Sequence, residues 1–107
     1  MTFTILLTLD AKQDLAAIRV FLAGNDSPET AREVLVRIRG DMRSLEKLPL
    51  RGHLPPELSD MGVQAYREIH SGSYRILYEV RGLTVYIHAV LDARRDLRDL
   101  LLARLIR

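Results

Sequence analysis

Tyr66-Arg67-Glu68-Ile69-His70-Ser71-Gly72-Ser73-Tyr74-Arg75-Ile76-Leu77-Tyr78-Glu79-Val80-Arg81-Gly82-Leu83-Thr84-Val85-Tyr86-Ile87-His88-Ala89-Val90-Leu91 decides the fold. Aromatic and β-branched residues dominate it, and Ser71-Gly72 and Arg81-Gly82 interrupt it as two-residue turn signals. The pattern predicts three antiparallel strands over residues 65–70, 73–80 and 83–91. With Arg81-Gly82 as the turn, Val80 faces Leu83, Tyr78 faces Val85, Ile76 faces Ile87 and Tyr74 faces Ala89, all on one apolar side. The other side pairs Glu79 with Thr84, Leu77 with Tyr86 and Arg75 with His88. The Ser71-Gly72 turn sets Glu68 opposite Arg75 and Tyr66 opposite Leu77. Glu68, Arg75 and His88 then form one row across three strands.

Upstream, residues 3–9 place Phe3, Ile5, Leu7 and Leu9 on one side and Thr4 and Thr8 on the other, an amphipathic strand. Asp10 is positioned to cap a helix carrying Leu15, Ile18 and Leu22, with Gly24-Asn25 as its left-handed stop. Ser27-Pro28-Glu29 opens a second helix with an N-cap, a first-turn proline and an acidic residue at the positive end. Its stripe of Ala31, Val34, Leu35, Ile38, Met42, Leu45 and Leu48 runs to Pro49. Pro49, Gly52, Pro55, Pro56 and Gly62 make residues 49–63 a loop. Past the strands, Asp92 is positioned to cap a last helix through Leu97, Leu100, Leu101 and Leu105. The expectation is a single α+β domain over residues 1–107: a helix hairpin on one face of an antiparallel sheet, in the order β-α-α-β-β-β-α.

The 107 residues and 28% charged content suit one globular domain. There are no cysteines, which excludes disulfides, thiolate zinc sites and a cysteine nucleophile. His53, His70 and His88 lack ligand spacing such as i, i+4 on a helix, so no metal is expected. No glycine-rich phosphate loop occurs, and no cofactor is expected. Apolar runs fall short of a membrane span, and the first residues read as a strand rather than a signal peptide. A cytoplasmic protein without membrane contact is the expectation. The net charge is +2, and the excess lies after residue 50, where nine cations meet seven anions. That points to an acidic partner or nucleic acid, against the simpler reading of a well-charged soluble surface.

A carboxylate, a guanidinium and an imidazole in one row suit proton transfer and stabilisation of a phosphorane-like charge. The competing reading of Glu68, Arg75 and His88 is a cross-strand salt bridge with a neighbouring histidine. Arg67 falls on the opposite parity, which requires an edge strand that lets its side chain escape. Val20, Phe21 and Val36 lie off the helical stripes and form, with Arg39 flanking, a candidate patch for a partner helix.

Three segments carry a family likeness. Leu48-Pro49-Leu50-Arg51-Gly52-His53-Leu54-Pro55-Pro56-Glu57-Leu58 is similar to a "PxxGxxxPEL" loop. The run from Tyr66 to Val80 is close to a "REixxgpYRIiYxV" hairpin, and Val90-Leu91-Asp92-Ala93-Arg94-Arg95-Asp96-Leu97 is like a closing "vlhgrRdl". With these motifs the chain resembles RelE/ParE superfamily toxins, the growth-inhibiting halves of type II toxin–antitoxin and plasmid-stabilization modules. The resemblance implies a cognate antitoxin as partner. It implies DNA gyrase as target in the ParE-like branch, which the loop and the Arg94-Arg95-Asp96-Leu97 ending favour. The alternative it implies is a RelE-like, metal-independent ribonuclease that cuts mRNA on the ribosome. That branch would use Arg75, His88, Glu68 and Glu57. It also uses a C-terminal tyrosine or histidine, and none follows Arg95 here. The ParE-like reading leans against an enzyme and assigns target contact to Arg67, Arg94, Arg95, Arg98 and Arg104.

Overall fold

The computed structural model describes residues 1–105. The elements are β1 (Thr4–Leu7), α1 (Leu9–Asn25), α2 (Pro28–Ser44), α3 (Pro56–Ser59), β2 (Tyr66–Ser71), β3 (Tyr74–Arg81), β4 (Thr84–Asp92) and α4 (Leu97–Leu105). The expected order holds, with one extra turn of helix, α3, inside the loop. The sheet runs β1-β4-β3-β2. β1 lies parallel to β4, so the sheet is mixed at that edge, while β4-β3-β2 is antiparallel as expected.

Helix starts follow local chemistry. The Thr8 side chain, rather than that of Asp10, caps α1 by accepting from the Ala11 N–H at 3.1 Å. Leu9 therefore sits in the first turn of α1, largely exposed, instead of on β1. Ser27 caps α2 through the Thr30 N–H at 3.0 Å, with Pro28 in the first turn. Gly24 does not adopt the left-handed conformation, and α1 ends at Asp26 with a negative φ. α2 stops at Ser44, one turn before Pro49, and Leu45 is buried immediately beyond it.

Both hairpin turns lie one residue further along than the sequence suggests. Their central pairs are Gly72-Ser73 and Gly82-Leu83, each glycine at φ +57°. Glycine at the first central position alone is the requirement of a type II′ turn, whose twist matches the strands. The shift moves each partner by two residues, so side chains keep their faces: Val80 now pairs with Val85 and Tyr78 with Ile87. Glu68 faces Leu77 and His70 faces Arg75. A β-bulge at His88 then changes the phase of β4: Tyr78 pairs with Ile87, but Leu77 pairs with Ala89 and Ile76 with Val90. Ala89, expected beneath the helix hairpin opposite Tyr74, is thereby turned to the other face, and Tyr74 pairs with Asp92.

Two cores result. Ala11, Leu15, Leu35, Ile38 and Met42 from α1 and α2 pack on Ile69, Ile76, Tyr78, Val85, Ile87 and Val90. On the opposite face, Leu58 of α3 and Leu97 and Leu101 of α4 cover Tyr66, Leu77, Ala89 and Leu91. Each fully buried Leu or Ile contributes roughly 1.5–3 kcal/mol. The sheet face away from the helix hairpin is thus partly roofed. The Leu105 side chain, expected on the apolar stripe of α4, lies outside the described part.

The bulge also needs hydrogen-bonding partners, because β1 ends at Leu7 and leaves the adjacent edge of β4 uncovered. Asp14 of α1 accepts from the Val90 N–H at 3.0 Å, and Arg104 of α4 donates to the His88 carbonyl at 2.9 Å. Arg104 and Asp14 close the circuit with bonds of 2.7 and 3.0 Å. This clamp fastens α4 to α1 across the end of β1. Arg104→Met is expected to cost about 1–3 kcal/mol in urea unfolding. Asp14→Ala should additionally accelerate hydrogen exchange at the Val90 amide, which amide-resolved exchange will detect.

Candidate functional site

Arg75 projects from β3 beneath α3 and α4, with only 8% of its side chain exposed. Its Nε donates to Glu68 Oε2 at 3.2 Å, and Nη2 donates to the same oxygen. Nη1 and Nη2 grip Glu57 of α3 at 2.7 and 2.8 Å, and Nη1 also donates to the Arg95 carbonyl at 3.1 Å. A guanidinium has five N–H donors, and these five bonds occupy all of them. The Arg75 hydrogen bonds hold the Glu57 carboxyl at about 2, outweighing the burial that would raise it. Glu57 and Glu68, in return, raise the Arg75 pKa against burial. Glu57 Oε2 further accepts from the Leu97 N–H at 3.3 Å, where its charge suits the positive end of α4.

Glu68 is nearly fully buried and has a second set of partners. Its Oε1 lies 3.1 Å from His53 Nε2 and 3.1 Å from His70 Nε2. The two imidazoles stack with centroids 5.6 Å apart and remain half exposed. His70 is two residues from Glu68 on the same face of β2. His53 arrives from the loop, where its backbone bonds that of Glu68 in both directions, at 3.1 and 2.8 Å. Gly52 makes this docking possible. Its N–H donates to Tyr78 Oη at 2.9 Å, and a Cβ there would fall 2.7 Å from the Glu68 carbonyl. Arg67 does escape from the edge strand, but toward the loop, donating to the Gly52 carbonyl at 2.8 Å.

The structure therefore divides the residues singled out from sequence. Glu57, Glu68 and Arg75 come together. His88 does not join them, because the bulge sends it to Glu79, 3.0 Å away, and edge-on to Tyr66. Burial would raise the Glu79 carboxyl, but hydrogen bonds from Arg81 and His88 outweigh it and the net shift is downward. Arg104 is committed to Asp14, and Arg67 to the loop. Arg94 and Arg98 are exposed on partners two residues back, Asp92 at 3.0 Å and Asp96 at 2.8 Å. The Arg95 side chain is exposed beside Phe21 and Tyr74.

On the helix hairpin, Val20, Val36 and Arg39 line one groove with Arg19, Ala23 and Arg32. Phe21 is not among its lining residues and instead borders the hollow that contains Arg95. Sequence reasoning missed His53 and His70. His70 was legible as a same-face neighbour of Glu68, whereas His53 depends on how the loop folds back. Among the described residues no helix is long and apolar enough to cross a membrane.

Because the Glu57 carboxyl falls from 4.5 to about 2 on folding, its contribution is full above pH 4.5 and is lost as pH drops toward 2. Glu57→Gln should remove on the order of 2 kcal/mol of stability at pH 7 and much less at pH 2.5. Urea unfolding of both proteins at the two pH values measures that difference.

The family model described as the ParE toxin of type II toxin-antitoxin systems, parDE, matches residues 5–97. Among solved structures, the chain is similar to the chromosomal ParDE toxin-antitoxin system of P. aeruginosa. The TM-score is 0.73 at 19% identity, covering 87% of this chain and 98% of the other. It is also similar to the RelBE2 toxin-antitoxin complex of Mycobacterium tuberculosis, with a TM-score of 0.62 at 23% identity, covering 87% and 94%. No curated protein matches the sequence.

Proposed function

The chain belongs to the ParE toxin family of type II toxin–antitoxin systems, and on that premise we propose that it arrests bacterial growth by inhibiting DNA gyrase. The observation that carries this reading is the saturation of Arg75. A ribonuclease needs a cationic donor aimed at the scissile phosphate. The Arg75 donors are all spent on Glu57, Glu68 and the Arg95 carbonyl, beneath α3 and α4. His88 is occupied by Glu79 and stands away from that group. Target contact then falls to the exposed arginines around the start of α4: Arg94, Arg95 and Arg98.

One feature favours the alternative, ribosome-dependent mRNA cleavage. His53 and His70 present two half-exposed imidazoles on a buried carboxylate, groups suited to general acid–base work. The two readings separate in a direct assay. Purified protein should inhibit gyrase supercoiling, and mRNA ends mapped after induction should show no new cuts. Ribosome-dependent cleavage that disappears in His53→Ala or His70→Ala would overturn the gyrase reading. Arg75→Ala is unsuitable as the discriminating variant, since stranding the buried Glu68 carboxylate and the partly buried Glu57 costs about 3–5 kcal/mol.

The toxin is held by a cognate antitoxin whose amphipathic helix occupies the groove between α1 and α2. Val20, Ala23 and Val36 offer apolar contact there, and Arg19, Arg32 and Arg39 supply a basic rim for acidic residues of the partner. Phe21 and Arg95 provide a separate contact if the antitoxin wraps past the helix hairpin. Arg39→Glu should weaken antitoxin binding about tenfold or more by reversing a rim charge, with an unchanged melting temperature. Calorimetric titration with the cognate antitoxin checks this, and unaltered affinity for both Arg39→Glu and Val36→Ser would exclude the groove.

A further inference from the structure

The imidazoles of His53 and His70 converge on one carboxylate oxygen of Glu68, an arrangement that the gyrase reading does not use. Each Nε2 stands 3.1 Å from Glu68 Oε1, and one ligand atom from each residue lies within 4.8 Å of the other two. We propose that these three residues bind a divalent transition-metal ion of the zinc class.

The donor set supports that chemistry. Two imidazole nitrogens and a carboxylate oxygen suit zinc, cobalt or nickel and disfavour magnesium or calcium, which seek oxygen alone. The spacing also fits. An ion held tetrahedrally at about 2.0–2.1 Å sets its donors roughly 3.3 Å apart, close to the two 3.1 Å separations. Rotation of two half-exposed rings closes the third edge. Each imidazole moves its proton from Nε2 to Nδ1 and presents the freed lone pair, so no net proton is lost.

The surroundings hold the donors in place. Glu68 Oε2 is fixed by Arg75, leaving Oε1 as the ligand oxygen. Such outer contacts orient first ligands. Arg75 is shared with Glu57, so the two carboxylates exceed the guanidinium by one negative charge, which favours a cation. His53 is held by paired backbone bonds and His70 by β2, so two rigid segments supply the ligands. Three protein donors with a solvent-facing side leave a position for water. Bound metal would staple the loop at residues 49–63 to β2.

The test uses the full chain prepared without a histidine tag and freed of metal by chelation. Titration with Co²⁺ should produce the visible absorption of a tetrahedral ion at one equivalent, and Zn²⁺ should displace it. Zn²⁺ should raise the thermal midpoint by about 5 °C at saturation. His53→Ala and His70→Ala should each weaken Co²⁺ binding roughly tenfold or more, while His88→Ala should leave it unchanged. Both mutated rings are half exposed, so the variants are expected to fold, and circular dichroism verifies that. Absence of one-equivalent binding at about 100 µM Co²⁺, or equal binding by wild type and both variants, overturns the site. These readouts are independent of whether gyrase or mRNA is the target.

Discussion

The buried guanidinium of Arg75 is the interaction on which the arrangement of the second sheet face depends. It sits on the central strand pair, takes Glu68 from β2, Glu57 from α3 and the carbonyl of Arg95 from the approach to α4. A guanidinium in such a place is tolerable only when every donor is met, because an unmet buried charge costs several kcal/mol. Meeting all five draws the loop and the last helix onto the sheet. Glu57 is then in reach of the Leu97 N–H, so the carboxylate that neutralises Arg75 also caps α4. The polar circuit and the apolar contacts of Leu58, Leu97 and Leu101 are two descriptions of one docking event.

The β-bulge at His88 supplies the second constraint. Without it, β4 would keep its phase, and Ala89 and Leu91 would point toward the helix hairpin. One extra residue sends both to the α4 side and gives that helix an apolar seat, while Val90 returns to the main core. The cost is a stretch of backbone without a strand neighbour, and Asp14 and Arg104 meet it. A residue assigned to target contact from its charge is thereby required by the fold. Charge alone cannot separate those roles. The difference lies in how each guanidinium is held: Asp14 of another element binds Arg104 directly, while Arg95 feels the charge of Asp92 and stays exposed.

The sequence made the architecture legible through periodicity and caps: Ser27-Pro28 begins α2 as read, and three strands follow in the expected order. The face of each residue from 66 to 87 was also legible, because a slip of two residues preserves parity. What could not be read was the phase of β4 beyond Ile87. A bulge leaves no signature when the residue inserted is an ordinary strand former such as His88. The Glu68–Arg75 contact was foreseen even though their true alignment is diagonal, since long side chains span that distance. Glu57 and His53 could be placed only once the loop was seen folded back, which turns on Gly52 fitting against Tyr78 and Glu68. The parallel pairing of β1 is likewise a long-range outcome with no local mark.

These constraints divide the molecule's polar groups by availability. Arg75, Arg104 and Glu57 are held by partners from distant elements, so changing them tests the fold before it tests a function. His53 and His70 differ: each gives one nitrogen to Glu68 and keeps half its side-chain surface in solvent. Neither belongs to an apolar core, so a change of partner at either ring leaves the packing of this face in place. In the groove of the helix hairpin, Val20 and Val36 stand outside both apolar clusters, beside the buried Ala31 and Leu35. A toxin that is bound by an antitoxin is served by that separation. The groups that hold the sheet face together are withdrawn from solvent, while Val20, Phe21 and Val36 stay exposed outside both cores.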